Sequence, residues 1–167
     1  TNATSSYLLY IENLGKHGQK ATALRLAKPL QTKASLAGQV QTETAALKLQ
    51  VDMQGAASVP LLIKAMQDNN AQYRKAALKF AGSYLTPAAA NSWIAAMQKA
   101  DNTRKAEIVT MLGLNDVQAA LPAVVKELKN EDAGVVLAAI KASQQIGQDK
   151  VIDNLLAILN TGNADEI

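Results

Sequence analysis

Apolar residues recur along this chain with helical spacing, and short polar stretches interrupt them. In the clearest pair of segments the first carries its apolar residues three or four positions apart, at Val59, Leu62, Ile63 and Met66. This spacing places them on one face of a helix. A polar turn at residues 68–70 follows, and a second helix is predicted to begin near Gln72 and to direct Tyr73 and Ala77 inward. Residues 59–82 are therefore predicted to form a helical hairpin.

Local signals for helix ends accompany this pattern. Ser58 is predicted to cap the first helix of the hairpin, and Pro60 suits its first turn, where a missing N–H costs nothing. Near the start of the chain, Ser5 or Ser6 is predicted to cap a helix that ends in a turn over residues 15–18. A further helix is predicted from about Gln19 to Lys28, with Pro29 as its limit.

The hairpin pattern repeats every 31 residues. At this step the apolar residues of the first helix recur as Trp93, Ile94 and Met97, as Val124, Val125 and Leu128, and as Leu155, Leu156 and Leu159. A fixed period of this length is typical of solenoids, in which each hairpin buries its apolar face against its neighbours. We predict an all-α, right-handed α-α superhelix of about five hairpins in a single domain over residues 1–167. Residues 1–41 are predicted to be atypical helices, residues 42–161 regular repeats, and residues 162–167 a frayed tail.

The residues of the second helices resemble a known repeat. The segment DNNAQYRKAALKFAG is similar to the second half of a HEAT repeat of the type found in bilin-lyase-like proteins, with Asp68, Tyr73-Arg74, Ala76-Ala77 and Ala81-Gly82 in the expected places. The segment NEDAGVVLAAIKASQQIG is similar, although Val136 stands where Arg is expected, and DNTRKAEIVTMLG has Lys105 there. The resemblance covers roughly residues 42–161. It implies that Arg74 and Asp68 interact within or between repeats.

The amino-acid composition disfavours one fold class and excludes several kinds of site. Of the 167 residues, 49% are hydrophobic, yet the chain has only one Phe, one Trp and four Tyr, which disfavours a β-rich fold. It has no Cys, so a disulfide, a thiolate nucleophile and a Cys-based zinc site are excluded. No apolar run approaches the ~20 residues that a membrane span needs. We expect either a mature form or an excised part of a larger bacterial protein, with an extracytoplasmic location slightly favoured over a cytoplasmic one.

The titratable and aromatic residues do not form a recognisable catalytic motif. His17 is the one histidine and is interpreted as an exposed loop residue rather than a ligand or a base. Trp93 takes an aliphatic position of the repeat, so core packing is preferred to a stacking platform for a base or a sugar. Glu131 and Asp132 are assigned to a turn before a helix. No pair of carboxylates is expected to converge in a cleft, and no catalytic residue, cofactor or metal site is predicted.

Charge is distributed unevenly. Residues 1–106 carry 13 basic and 5 acidic residues, a net charge of +8, whereas residues 107–167 carry 4 basic and 9 acidic residues, a net charge of −5. In HEAT-like stacks the second helices line the concave face, so the candidate partner-binding residues are the cations of those helices: Lys48, Arg74, Lys75, Lys79, Lys105 and Lys141. One interpretation is a solvated surface of helix-favouring lysines. The other is a positive groove for an anionic partner.

Three classes of function are compatible with these features. The first, which we prefer, is a non-catalytic scaffold that binds a protein or peptide partner. The second is binding of an anionic partner such as nucleic acid, as in HEAT-like DNA glycosylases. The single Trp and the net charge of +3 weigh against it. The third is an enzyme of the bilin-lyase kind or an accessory domain of a hydrolase, for which no residue provides support.

Overall fold

The structure is a computed structural model that describes residues 2–147. Within this range every regular element is helical, so the prediction of an all-α fold of helical repeats is confirmed. The chain divides into two compact units, Thr1–Tyr84 and Leu85–Ile167. The predicted repeat positions Leu155, Leu156 and Leu159, and the predicted frayed tail at 162–167, lie outside the described residues.

The first unit contains five α-helices. They are α1 (Asn2–Lys16), α2 (Lys20–Leu36), α3 (Val40–Gln54), α4 (Val59–Ala65) and α5 (Ala71–Ala81). Short 3₁₀ turns at Gly55–Ser58 and Gly82–Tyr84 precede α4 and follow α5. Helix α2 pairs with α3 and α4 with α5, so the unit holds two helical hairpins, preceded by α1.

The second unit has the same plan over its described part. Its helices are α6 (Pro87–Lys99), α7 (Asn102–Leu114), α8 (Leu121–Lys126) and α9 (Ala133–Gly147). The 3₁₀ turns Gln118–Ala120 and Glu127–Lys129 flank α8. Helix α6 packs on α7 and α8 on α9, and α7 lies along α9. These contacts are those expected of successive hairpins.

The 31-residue period sets where the second helices begin. Helices α3, α5, α7 and α9 start at residues 40, 71, 102 and 133, at a constant interval of 31. Before three of them a short polar side chain caps the free N–H groups of the first turn: Asn70 accepts from Tyr73 N, Asp101 from Arg104 N, and Asp132 from Val135 N. The prediction that acidic residues of the turn support the next helix is confirmed for Asp132.

The first copy departs from this rule. The residue before α3 is Gln39, whose side chain makes no capping hydrogen bond. A Gln side chain is one methylene longer than Asn and is not among the preferred N-caps. The amide groups that open α3 therefore lack the side-chain acceptor that the other three second helices have.

Two predicted helix ends are wrong. Helix α2 continues through Pro29 to Leu36, whereas the sequence pattern had Pro29 as its limit. Pro29 is exposed, so water can bond to the Arg25 carbonyl that the proline cannot reach, and the cost of the missing N–H stays small enough for the helix to continue. Helix α1 starts at Asn2 and runs past Ser5 and Ser6, so neither serine is its cap.

The Ser58 cap is also wrong, although Pro60 lies in the first turn of α4 as predicted. The 3₁₀ turn Gly55–Ser58 leads directly into α4, and Ser58 already has helical backbone angles. Its hydroxyl donates back to Gly55 O at 2.6 Å instead of accepting from the helix. A residue that continues a helical turn cannot act as a cap, because the cap needs extended backbone angles.

Alanine is the most frequent buried apolar residue of the first unit. Ala23 and Ala27 of α2 are completely buried and, with Ile11 of α1 and Leu49 of α3, form one apolar cluster. Alanine at such positions lets helix backbones approach closely. Helix α1 is therefore joined to the hairpin of α2 and α3 by direct packing.

Of the predicted repeat positions in the described part of the second unit, Trp93, Met97, Val124 and Leu128 are buried, and Ile94 and Val125 are partly buried. Trp93, Met97 and Val124 have no exposed surface, so core packing of Trp93 is confirmed. Its indole Nε1 meets no hydrogen-bond acceptor among the described residues. The tightest contact is between α7 and α9: a Cβ added at Gly113 would lie 2.6 Å from Ala142 Cα and 2.7 Å from its Cβ. The two helices touch through their backbones at this point.

We expect Gly113→Ala to destabilise the protein by about 1–3 kcal/mol, because the added methyl would force two packed backbones apart. The measurement is the free energy of unfolding in urea. The control is Gly15→Ala, whose Cβ would meet only the flexible Met53 Cε, at 3.0 Å. This control should be neutral or mildly stabilising, since Ala is the better helix former. Equal losses for both variants would contradict the backbone contact.

We expect Gln39→Asn to stabilise the first unit by about 1 kcal/mol, because Asn can accept from the opening amides of α3 as Asn70 does for α5. Amide hydrogen exchange of residues 41 and 42 should slow in parallel with the gain in unfolding free energy. Gln41→Asn, two residues further along the chain and already inside α3, is the control and should bring no gain in stability. A loss of stability in Gln39→Asn would show that the backbone at residue 39 cannot adopt capping geometry.

Candidate functional site

The fourth residue of each second helix differs in charge from copy to copy. These residues are Glu43 in α3, Arg74 in α5, Lys105 in α7 and Val136 in α9. Glu43 and Arg74 are only 6% and 5% exposed, so this position points into the packed interior of a repeat. A buried position tolerates a charge only when the surroundings compensate it. The compensation differs from copy to copy.

Arg74 is held by the turn before its own helix. Its guanidinium Nη1 donates to Asp68 O at 2.9 Å and to Asn69 O at 3.0 Å. The resemblance implied an interaction between Arg74 and Asp68, and the structure provides one through the Asp68 carbonyl. Arg74 thus closes the turn between α4 and α5 and is nearly inaccessible to a partner.

Lys105 is held by an acidic side chain from the neighbouring hairpin. Its Nζ lies 3.3 Å from Glu127 Oε2, and both side chains are mostly buried, with 15% and 13% exposed. Asn130 Nδ2 donates to the same carboxylate at 2.8 Å. Lys105, like Arg74, serves the packing of its own unit.

The ninth residue of the second helices is an exposed lysine in three copies. These are Lys48 of α3, Lys79 of α5 and Lys141 of α9, with Thr110 in the remaining copy. Lys48 Nζ pairs with Asp52 Oδ1 at 2.5 Å and lies 5.8 Å from the centroid of the Phe80 ring. Lys75, one turn before Lys79, is also exposed. Of the six candidate cations, four are therefore at the surface and two are occupied inside their units.

A cavity of about 510 Å³ lies in the first unit between the first helices α2 and α4. Glu43 and Tyr73, from the first turns of α3 and α5, line it together with Gln31 and Ser35 of α2 and Asp68 of the α4–α5 turn. The expectation that no two carboxylates share a cleft is wrong. Glu43 and Asp68 are 25 positions apart and belong to different repeats, so their spacing in the sequence does not indicate that they line one cavity.

Residues 90–167 match the family model described as HEAT repeats. This stretch of the chain carries HEAT repeats. No curated protein matches the chain. HEAT repeats generally mediate protein–protein interactions as non-catalytic scaffolds. Within residues 2–147, no helix combines the length and the apolar character needed to cross a bilayer.

In the first unit, a chain of amide groups supports the cavity. Gln50 Nε2 donates to Gln31 Oε1 at 2.5 Å, and Gln31 Nε2 donates to the Tyr73 hydroxyl at 2.5 Å. Gln50 is 1% exposed and Tyr73 2% exposed, so these groups depend on each other for hydrogen bonds. The chain joins α3, α2 and α5 and fixes the position of the phenol at the cavity wall.

Burial shifts the Glu43 carboxyl and the Tyr73 phenol towards their neutral forms. Loss of solvation raises the pKa of the Glu43 carboxyl, against a lowering by the hydrogen bond with Ser35, and the charge of Asp68 raises it further. Burial and the nearby Glu43 charge raise the pKa of Tyr73 to about 12, with a smaller contribution from Asp68 and an opposing one from Gln31. Within residues 2–147, no lysine or arginine forms an ion pair with Glu43.

The histidine and the possible metal ligands add no second site. His17 is exposed, and its Nδ1 lies 2.8 Å from Asn13 O at the end of α1, which confirms its assignment to the surface. Among residues 2–147, no three His, Asp or Glu side chains lie close enough together to hold a metal ion. The cavity at Glu43 is thus the feature of the first unit that combines buried charge with open volume.

We expect Glu43→Gln to raise the stability of the protein at pH 7, because it removes a buried charge without a counter-cation. A carboxyl whose pKa is raised on folding stabilises the fold below its unfolded value near 4.5, and this contribution is lost as pH rises through the folded value. The gain over wild type should therefore shrink as pH falls. The other titratable groups lining the cavity are Asp68, Lys64 and Tyr73, and α2 contributes uncharged side chains.

Urea unfolding at pH 7 and near pH 4 measures this difference. Glu12→Gln is the matched control, because Glu12 lies on α1 in an exposed pair with Lys16. It should change stability little at either pH. A Glu43→Gln variant that is less stable than wild type at pH 7 would mean that existing contacts already compensate the charge.

Proposed function

We propose that the chain is a non-catalytic scaffold that binds a protein partner through the exposed lysines of its second helices. The candidate contact residues are Lys48, Lys75, Lys79 and Lys141. One observation carries the proposal: the same position of three repeated helices presents a lysine to solvent, while the cations at the buried fourth position serve packing. Exposed lysines at equivalent helix positions give the surface of each unit a positive character without affecting the core.

The partner surface that fits such lysines is acidic. Exposed ammonium groups attract carboxylates over roughly 8 Å at physiological ionic strength, which speeds encounter more than it tightens the final complex. Lys48 contributes less than the others, since Asp52 already neutralises it. Lys75 and Lys79 of α5 are therefore the centre of the proposed contact in the first unit, and Lys141 its counterpart in the second.

The absence of catalysis is part of the proposal. Its support is the general behaviour of HEAT repeats and the work that the acidic residues of the turns already do. Asp101 and Asp132 cap helices, and Glu127 pairs with Lys105. Carboxylates engaged in this way are poor proton donors or acceptors for a substrate.

The test is capture of partners by the immobilised chain from a native extract of its source, followed by affinity measurement with the purified partner. We expect the combined change of Lys75, Lys79 and Lys141 to Glu to weaken binding at least about tenfold at low salt, mainly through slower association. Lys48 is left unchanged, because a Glu there would face Asp52 one helical turn away.

The control changes Lys20, Lys99 and Lys126 to Glu. These lysines are exposed on the first helices and alter the net charge by the same amount. They should leave binding nearly unchanged. If both triple variants weaken binding equally, net charge alone attracts the partner and the second helices have no special role. If no protein is captured reproducibly, or if nucleic acid is retained instead, the scaffold proposal fails.

A further inference from the structure

We propose that the cavity at Glu43 binds a basic side chain, lysine or arginine, presented by a protein partner. The inference rests on the proposed function for the source of that side chain. The binding chemistry itself rests on the cavity alone. It concerns a different surface from the exposed lysines, because the cavity opens between the first helices α2 and α4.

Comparison of the copies shows which charge the cavity lacks. At the fourth position of α5 and α7 a cation occupies the interior and meets oxygen atoms: two backbone carbonyls for Arg74, and the Glu127 carboxylate for Lys105. In α3 the same position is Glu43, an acceptor that cannot bond to carbonyl groups when ionised. The first copy thus has a carboxylate at this position, and no described lysine or arginine pairs with it.

The surroundings of Glu43 are suited to a donor with positive charge. Asp68 adds a second carboxylate to the wall, and its Oδ1 is oriented by the Asn70 backbone N–H at 2.7 Å. The Tyr73 hydroxyl, fixed by Gln31, adds another oxygen. Ammonium and guanidinium groups carry three and five donors with no acceptor, so they match a wall of oxygen atoms. An anion would be repelled by the Glu43 carboxylate.

The cavity's own lysine does not fill this role. Lys64 lines the cavity from α4, but its side chain is exposed and forms no ion pair with Glu43 within the described residues. A lysine can keep its ammonium group in water while its stem covers the rim. Glu43, which is only 6% exposed, has no cation paired with it among the described residues. An uncompensated buried carboxylate is costly, and an incoming cation would relieve that cost.

The size of the cavity selects a side chain rather than a domain. A volume of about 510 Å³ falls within the range of small-ligand pockets, roughly 300–1,000 Å³. It can admit one long basic side chain from a segment lying across α2 and α4. The cavity thus gives the proposed scaffold a second kind of specificity, for one basic residue of the partner.

The experiment titrates the full ¹⁵N-labelled chain with three capped tripeptides, Ac-Gly-X-Gly-NH₂, in which X is arginine, lysine or citrulline. Citrulline has nearly the shape of arginine without its charge. We expect saturable shifts of the amide signals of Ser35, Glu43, Asp68 and Tyr73 with arginine or lysine and none with citrulline. Glu43→Gln should weaken binding about tenfold or more, the loss expected when a charge-assisted bond loses its charge.

Two further variants keep the test decisive. Glu12→Gln removes one negative charge from α1, outside the cavity, and should bind as wild type does. Glu43→Asp keeps the charge and should retain measurable binding, which separates loss of charge from a change in folding. The ¹⁵N spectrum of each variant reports whether it is folded.

The inference is overturned if neither basic peptide gives saturable shifts, if citrulline binds as well as arginine, or if Glu43→Gln and Glu12→Gln weaken binding equally. These outcomes are independent of the partner capture described above. Binding of the basic peptides without any captured partner would refute the scaffold alone. A captured partner with no peptide binding would refute the cavity alone.

Discussion

Each helical hairpin of this protein has an apolar face that it cannot bury by itself, so its second helix must be covered by a neighbouring hairpin. In the first unit α3 lies against α5, and in the second α7 lies along α9. This mutual burial requires the second helices to begin at equivalent places, and the interval of 31 residues between their starts satisfies that requirement. Asn70, Asp101 and Asp132 then fix each start by capping. The remaining features of the structure are variations on this arrangement.

These variations show which features of the structure could be predicted from the sequence and which could not. The period, the buried faces and the place of Trp93 follow from apolar spacing, which reports burial directly. The predicted helix end at Pro29 and the predicted cap at Ser58 are wrong because a local propensity changes the free energy of folding by only a few kcal/mol at most. Solvent exposure at Pro29 and the 3₁₀ turn that ends at Ser58 override it. The structural roles of Arg74 and Lys105 could also be predicted only in part from the sequence. Both belong to second helices, yet their partners lie in turns that sequence spacing alone does not bring into contact.

The cavity at Glu43 was beyond sequence reasoning for a different reason. Its wall is assembled from α2, α3, the α4–α5 turn and α5, so no segment of the chain carries its signature. One signal was nevertheless present. Aligning the repeats places Glu43 in register with Arg74 and Lys105, and a reversal of charge at a buried position is unusual in a repeat. In repeat proteins, a copy that departs from its neighbours at a buried position indicates a site as well as a structural irregularity.

The alanine-rich core also sets how stability responds to temperature. Ala23, Ala27, Ala46 and Ala77 are completely buried, and the chain has a single Phe. Such residues bring helices close together and gain dispersion energy while removing little apolar area from water. The heat-capacity change of unfolding follows that apolar area. Compared with a leucine- and phenylalanine-filled core of the same length, this fold should therefore have a flatter stability curve, with less loss on cooling and a broader range of temperatures over which the repeats stay packed.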